Sequence, residues 1–241
     1  ARAVAEICRR LDGIPLAIEL AAARVKLLSV EQIAARLDDR FRLLRGGRRD
    51  GLPHQQTLEA LIDWSYDLLS EKERIAFRRM GVFAGGRTLE ALETVCSGDG
   101  IENFEMLDLL EQLVDKSLIT VEADEAGTPR YTMIETVWHY SREKLDKSSE
   151  AATVRDRHLD YFLRFAEEAA PHLEGPEQRD WLDRCESDLF NFRFAAEWTI
   201  KSRKTEAGLR LLTALYRLIE IRGNLAEGRD IGMSLLALPD S

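Results

Sequence analysis

The side chains best able to do chemistry in this sequence are scattered. Four histidines, His54, His139, His158 and His172, stand far apart with no partner at ligand spacing. Three cysteines, Cys8, Cys96 and Cys185, are odd in number and form no C-x-x-C pair. That pattern reads as reduced core thiols in a cytoplasmic protein. A phosphate loop of the form G-x-x-x-x-G-K-[ST] is absent. The nearest glycine pair, Gly85-Gly86-Arg87-Thr88, lacks the first glycine and the lysine, and reads as the end of one helix and the cap of the next. There is no G-x-S-x-G and no H-E-x-x-H. Carboxylates are plentiful, but they fall on periodic helix faces, where a solvated surface is the simple reading. The residues therefore offer no catalytic group and no metal ligands.

Two charged features bear on nucleic acid. The net charge of −9 disfavours broad contact with a phosphate backbone or an anionic membrane, since either needs a concentrated positive face. The arginines Arg40, Arg42, Arg45, Arg48 and Arg49 form a local exception. They could meet phosphate or an acidic neighbouring domain, or belong to a solvated linker; the linker is the favoured reading. No apolar run approaches the ~20 residues that cross a bilayer, so no membrane association is expected.

The elements that would position these groups are mostly helical. Hydrophobic residues make up 45% of the 241 residues and charged ones 32%, a balance suited to amphipathic helices. Residues 1–45 read as three short helices. The second opens at Gly13-Ile14-Pro15, and its Leu16–Leu28 run is apolar enough to be buried on most sides. Ser29 with Gln32 makes a capping box for the third. Residues 46–53, rich in glycine and charge, read as a linker. In 54–147, helices capped by Ser70 with Glu73 and by Thr88 lead to a helix over 104–116. The period then changes to two short β-like runs, Ser117–Ala123 and Pro129–Ile134. Helices feeding a hairpin and one more helix give a winged-helix domain. Residues 150–241 read as antiparallel helical hairpins stacked into a tetratricopeptide-like array. The fold class expected is thus mainly α, with one β-hairpin. A helical pattern already under way at Ala1 and another running to the last residues suggest an excised fragment.

In a winged helix, the helix before the hairpin is the DNA reader. Here it carries Glu105, Asp108, Glu111 and Asp115 against Lys116 alone. Phosphates would repel it, so direct DNA contact by this element is not expected.

Five segments in order carry a family likeness. They are Leu11–Val25 with its Gly13-Ile14-Pro15, Thr57–Leu69, Val82–Gly86, Leu113–Ile119 and Tyr131–Tyr140. Together they resemble signal-transduction ATPases with numerous domains (the STAND class), in particular large bacterial LuxR-like, ATP-dependent transcriptional regulators. The resemblance implies an NTPase core ahead of residue 1, binding ADP or ATP with Mg, then the helical, winged-helix and array domains found here. It implies that Pro15, in a turn shaped by Gly13, packs on the nucleotide held by that core. It implies no catalytic residue in this stretch, and a protein or small-molecule inducer acting at the helical array. Related proteins often have Met-His-Asp where the hairpin meets the next helix; this sequence has Met133-Ile134-Glu135. A phosphate-sensing role passes neither to Ile134, whose side chain has no donor, nor to His139. The function implied is that of a regulatory piece coupling nucleotide state to signal sensing and assembly. The alternatives are a DNA-binding winged-helix factor and a protein-interaction scaffold.

Overall fold

A computed structural model describes residues 2–11, 13–45, 53–124, 127–222 and 225–237. Among them are thirteen α-helices and one antiparallel hairpin, as the periodicities imply.

The N-terminal helices are α1 (Arg2–Arg10), α2 (Pro15–Ala22) and α3 (Val30–Arg45). The chain enters α2 through Gly13 at φ +69°, a left-handed conformation that glycine adopts without cost. Pro15 then starts the helix where its missing N–H is harmless. A short 3-10 turn, Ala23–Lys26, follows. Ser29 and Gln32 cap α3 reciprocally, at 2.9 and 3.2 Å. One expectation fails here. Helix α2 is not buried on most sides: Ala17, Leu20 and Ala21 are covered, whereas Pro15, Glu19 and Ala22 form an exposed stripe. Small alanines let the helix bury one face, and the side chain that goes fully inside next to it is Arg24.

Helix α4 (Pro53–Asp67) packs on α2, α3 and α8 (Glu135–Asp146), so it lies between the N-terminal helices and the winged helix. Of the expected linker, residues 46–52 lie outside the described residues, Arg48 and Arg49 among them, and Pro53 already opens α4. The winged helix is built by α5 (Glu71–Met80), α6 (Leu89–Cys96), α7 (Met106–Asp115), β1 (Thr120–Ala123), β2 (Pro129–Thr132) and α8. Ser70 and Glu73 form the capping box of α5, and Thr88 caps α6 through the Ala91 amide. Gly81 ends α5 against α8: a Cβ there would sit 2.6 Å from the Arg142 amide nitrogen, so only glycine allows this approach. In the hairpin, Thr120 faces Thr132 and Val121 faces Tyr131. Arg87 exchanges two backbone hydrogen bonds with Tyr131, which ties the Gly85–Arg87 loop to the wing.

The rest is helical: α9 (Ala151–Ala169), α10 (Gln178–Ser187), α11 (Leu189–Lys201), α12 (Thr205–Arg222) and α13 (Leu225–Leu236). Helix α9 is the spine, packing on α6 on one side and on α11 and α12 on the other. Its apolar stripe, Leu159, Phe162, Leu163 and Ala166, is buried as the spacing implies. Gly223 and Asn224, between α12 and α13, lie outside the described residues. No described helix is long and apolar enough to cross a membrane.

Candidate functional site

Three places in this fold have the makings of function: the exposed end of α2, the outer face of α7, and the seam between the wing and the helical array.

At the first, Gly13 and Pro15 are both exposed, and nothing lies near the open side of Gly13. Pro15 therefore presents a rigid apolar ring at a helix start. Beside it, Leu16 and Glu19 of α2 face Val114, Val121 and Ile134 across an open groove of about 400 Å³. Ile134 is the N-cap position of α8, makes no capping hydrogen bond and is 41% exposed. Of the sequence-flagged positions, the fold places Ile134 at this groove, whereas Gly13 and Pro15 do not line it; the first residue of α2 to do so is Leu16. His139 is not brought to it; its imidazole lies 3.7 Å from Glu135 one turn earlier on α8.

Arg24, just after α2, is fully buried, and none of its three guanidinium nitrogens has a hydrogen-bond partner. Burial lowers its pKa, and the charge of Glu73 opposes that shift. Glu73 is already engaged: it accepts from Lys116 and from the Ser70 amide. Burial pushes the Glu73 carboxyl up, but these hydrogen bonds prevail and hold it below the usual carboxylate range.

Helix α7 buries Met106, Leu109, Leu110 and Leu113 and turns Leu107, Asp108, Glu111 and Gln112 outward. Phe104, in the turn before it, is 79% exposed. The would-be recognition face is therefore apolar and acidic.

The third place was invisible to the sequence reading. Arg130 of the wing reaches the array and grips Asp188 with both arms, Nη2 to Oδ1 at 2.7 Å and Nη1 to Oδ2 at 3.1 Å. It also donates to the carbonyls of Gly86 and Ser187. Asn191 extends the network: its Nδ2 donates to Asp188, and its Oδ1 accepts from the Ala84 amide, both at 2.8 Å. The Nε2 of His158 lies 3.4 Å from the same Oδ1, with its ring packed on Phe83 and Phe162. Burial pushes the His158 pKa down to about 4, so this histidine is neutral. Further along the seam, Arg157 of α9 donates to the Ser97 carbonyl and pairs with Asp99. Arg79 ties Glu150 to the carbonyls of Cys96 and Gly98. Arg142 of α8 lies over Phe194 of α11 at 4.7 Å. Beside the network opens a cleft of about 670 Å³, lined by Glu90, Tyr161, Arg164, Phe165 and Arg184 among others.

Of the cysteines, Cys96 and Cys185 are buried with thiols pushed up to about 12 by burial, whereas Cys8 is only partly covered, so the expectation of three core thiols holds for two. No cluster of potential metal ligands occurs among the described residues.

Comparison with known proteins bears on the middle of the chain most directly. Residues 69–146 match the family of winged helix-turn-helix domains. Proteins of Mycobacterium tuberculosis and Mycobacterium bovis, provisionally named HTH-type transcriptional regulators, are 46% identical over 228 residues. The match covers 95% of this chain and 26% of theirs, so the chain spans about a quarter of the length of these relatives. An uncharacterized M. tuberculosis protein is 45% identical over 156 residues, covering 64% of this chain and 39% of its own. Among solved structures, a STAND protein with a tetratricopeptide repeat sensor from Pyrococcus horikoshii aligns over 87% of this chain and 42% of its own, at 15% identity and a TM-score of 0.36. That likeness is too loose to carry weight for the fold. The hairpin, its flanking helices and the family match agree on one point: residues 69–146 are a winged helix-turn-helix domain.

Proposed function

We infer that this chain is the control region of a larger, nucleotide-switched transcriptional regulator of the STAND kind, acting in the cytoplasm, and that it contributes no catalytic residue. An NTPase core elsewhere in the longer protein would hold ADP or ATP with Mg. Pro15, set by Gly13, would close over the nucleotide in the ADP state, with the core resting against the α2 face. An inducer engaging the helical array, for which the cleft beside Arg130 offers space, would favour ATP exchange and release the core for assembly. Such a switch needs a differential affinity of a few kcal/mol between two states.

The observation that supports this reading is the exposed Pro15 ring at the first turn of α2, whose next residue, Leu16, lines a groove together with Ile134 of the winged helix. A proline at a helix start needs no exposure, and its ring would gain most by being covered. The test is the nucleotide content of the purified longer protein. Wild type should carry bound ADP, and Pro15→Glu should lose at least about tenfold in ADP affinity, the effect of one 1.4 kcal/mol contact. Equal retention by both would defeat the reading.

A second reading, direct DNA binding by the winged helix, is favoured by the names of the mycobacterial relatives. The outward Asp108 and Glu111 of α7 stand against it, and a titration with duplex DNA at low salt separates the two.

A further inference from the structure

We propose that the outer face of α7, together with the groove at its C-terminal end, is a docking surface for a basic amphipathic helix of another protein. This inference does not rest on the nucleotide reading.

The face carries exposed apolar side chains among its acidic ones. Phe104 is 79% exposed and Leu107 50%. Leu107 and Val114 lie at i and i+7, on one side of α7, and Phe104 stands in the turn that leads into it. The two helical positions are about 10 Å apart along the axis. At the end of this stripe Val114 enters the groove of about 400 Å³, whose apolar walls include Leu16, Val121 and Ile134. Val121 and Ile134 are 47% and 41% exposed. A row of apolar anchors ending in a groove is the form that takes the i, i+4, i+7 side chains of a docked helix.

Charge identifies the occupant. The lysines that reach this face are each committed to a carboxylate: Lys72 to Glu105 at 2.6 Å, Lys26 to Asp115 at 2.9 Å, and Lys116 to Glu73. Asp108 and Glu111 on the helix, and Glu19 in the groove, have no cationic partner among the described residues. The surplus is negative and borders the apolar stripe directly. Nucleic acid is repelled by it, and a second copy docking face to face would bring like charges together in a chain already at −9. A helix with lysines or arginines flanking leucine-like anchors satisfies both the apolar and the acidic parts.

The experiment uses the 241-residue chain and, as probe, a fluorescein-labelled synthetic helix of leucines and lysines at heptad spacing. Anisotropy should show saturable binding that weakens with salt. Replacing Phe104 and Leu107 together with serine should weaken it at least about tenfold, and so should Asp108→Lys with Glu111→Lys. Both pairs are surface changes, and an unaltered thermal melt verifies their fold. A reversal of equal charge on the array, Asp160→Lys with Glu206→Lys, should leave binding within about twofold. Equal losses from the two reversals would reduce the effect to net charge and overturn the proposal. So would absence of probe binding, preferential binding of duplex DNA, or a dimer in sedimentation that the Phe104/Leu107 variant disrupts.

Discussion

Two buried arginines, one at each seam of the winged helix, have opposite surroundings. Arg130, between the wing and the array, is gripped by Asp188 and by two carbonyls, and a polar network through Asn191 and His158 continues behind it. Arg24, between the N-terminal helices and the winged helix, is fully buried with no partner for any guanidinium nitrogen, and the buried Ser65 hydroxyl of α4 is likewise unpartnered. Its natural counter-charge, Glu73, is held by Lys116 and Ser70. Charge removed from water must be compensated or it costs stability. The wing–array seam is therefore a polar latch around Arg130, whose neighbour Arg87 is buried with its Nε and Nη2 unpartnered but its Nη1 held by the Gly85 carbonyl. The N-terminal seam is held by apolar packing against α4, carries an uncompensated charge and opens into a groove. The winged helix is built to stay with the array and to part more readily from α2.

The largest effect should come from breaking the latch. Asp188→Ala leaves Arg130 buried without its carboxylate, and removing one member of a buried pair costs about 3–5 kcal/mol. Urea denaturation reads this directly. A loss under about 1 kcal/mol would mean that the latch is not what joins the two parts.

Acid should loosen the same seam. The His158 pKa is depressed to about 4 in the fold, against about 6.5 in an unfolded chain. Between those values the unfolded state binds more protons, so stability falls as pH drops from 6.5 towards 4 and levels off below. The slope is at most about 1.4 kcal/mol per pH unit from this group. His158→Gln keeps a donor near Asn191 but does not titrate, and its pH profile should be flatter across that window. Identical profiles would remove His158 from the latch.

The smallest effect has the opposite sign. Arg24→Met removes a buried charge that has no partner and should raise stability by about 1 kcal/mol or more. Destabilisation would show that Arg24 is compensated, and the contrast between the seams would collapse.

Much of this architecture was legible in the sequence because it is local. Caps three residues apart, Ser29 with Gln32 and Ser70 with Glu73, announce helix starts, and the change of period after Lys116 announces the hairpin. The outward charges of α7 were equally readable from helical spacing. The latch was not. Arg130 and Asp188 are 58 residues apart, and Asn191 meets the Ala84 amide across 107. Nothing local distinguishes them from surface polar residues. His158 sits beside the buried Leu159 and Phe162 on α9, which was the one available hint that it goes inside. Nothing in the Leu16–Leu28 run marks Arg24 as its fully buried member, while the apolar Val25 and Leu27 are exposed. For the candidate site, Pro15 and Gly13 were marked by their motif, but the meeting of Leu16, next to Pro15, with Ile134 at one groove is a property of the fold.

Hydrogen–deuterium exchange on the longer protein, with and without ADP, tests the central contrast most directly. Peptides covering residues 13–19 and 114–121 should gain protection with ADP, while those covering 128–132 and 187–191 stay protected in both states. Protection changing at the Arg130–Asp188 seam, or at neither seam, would contradict it.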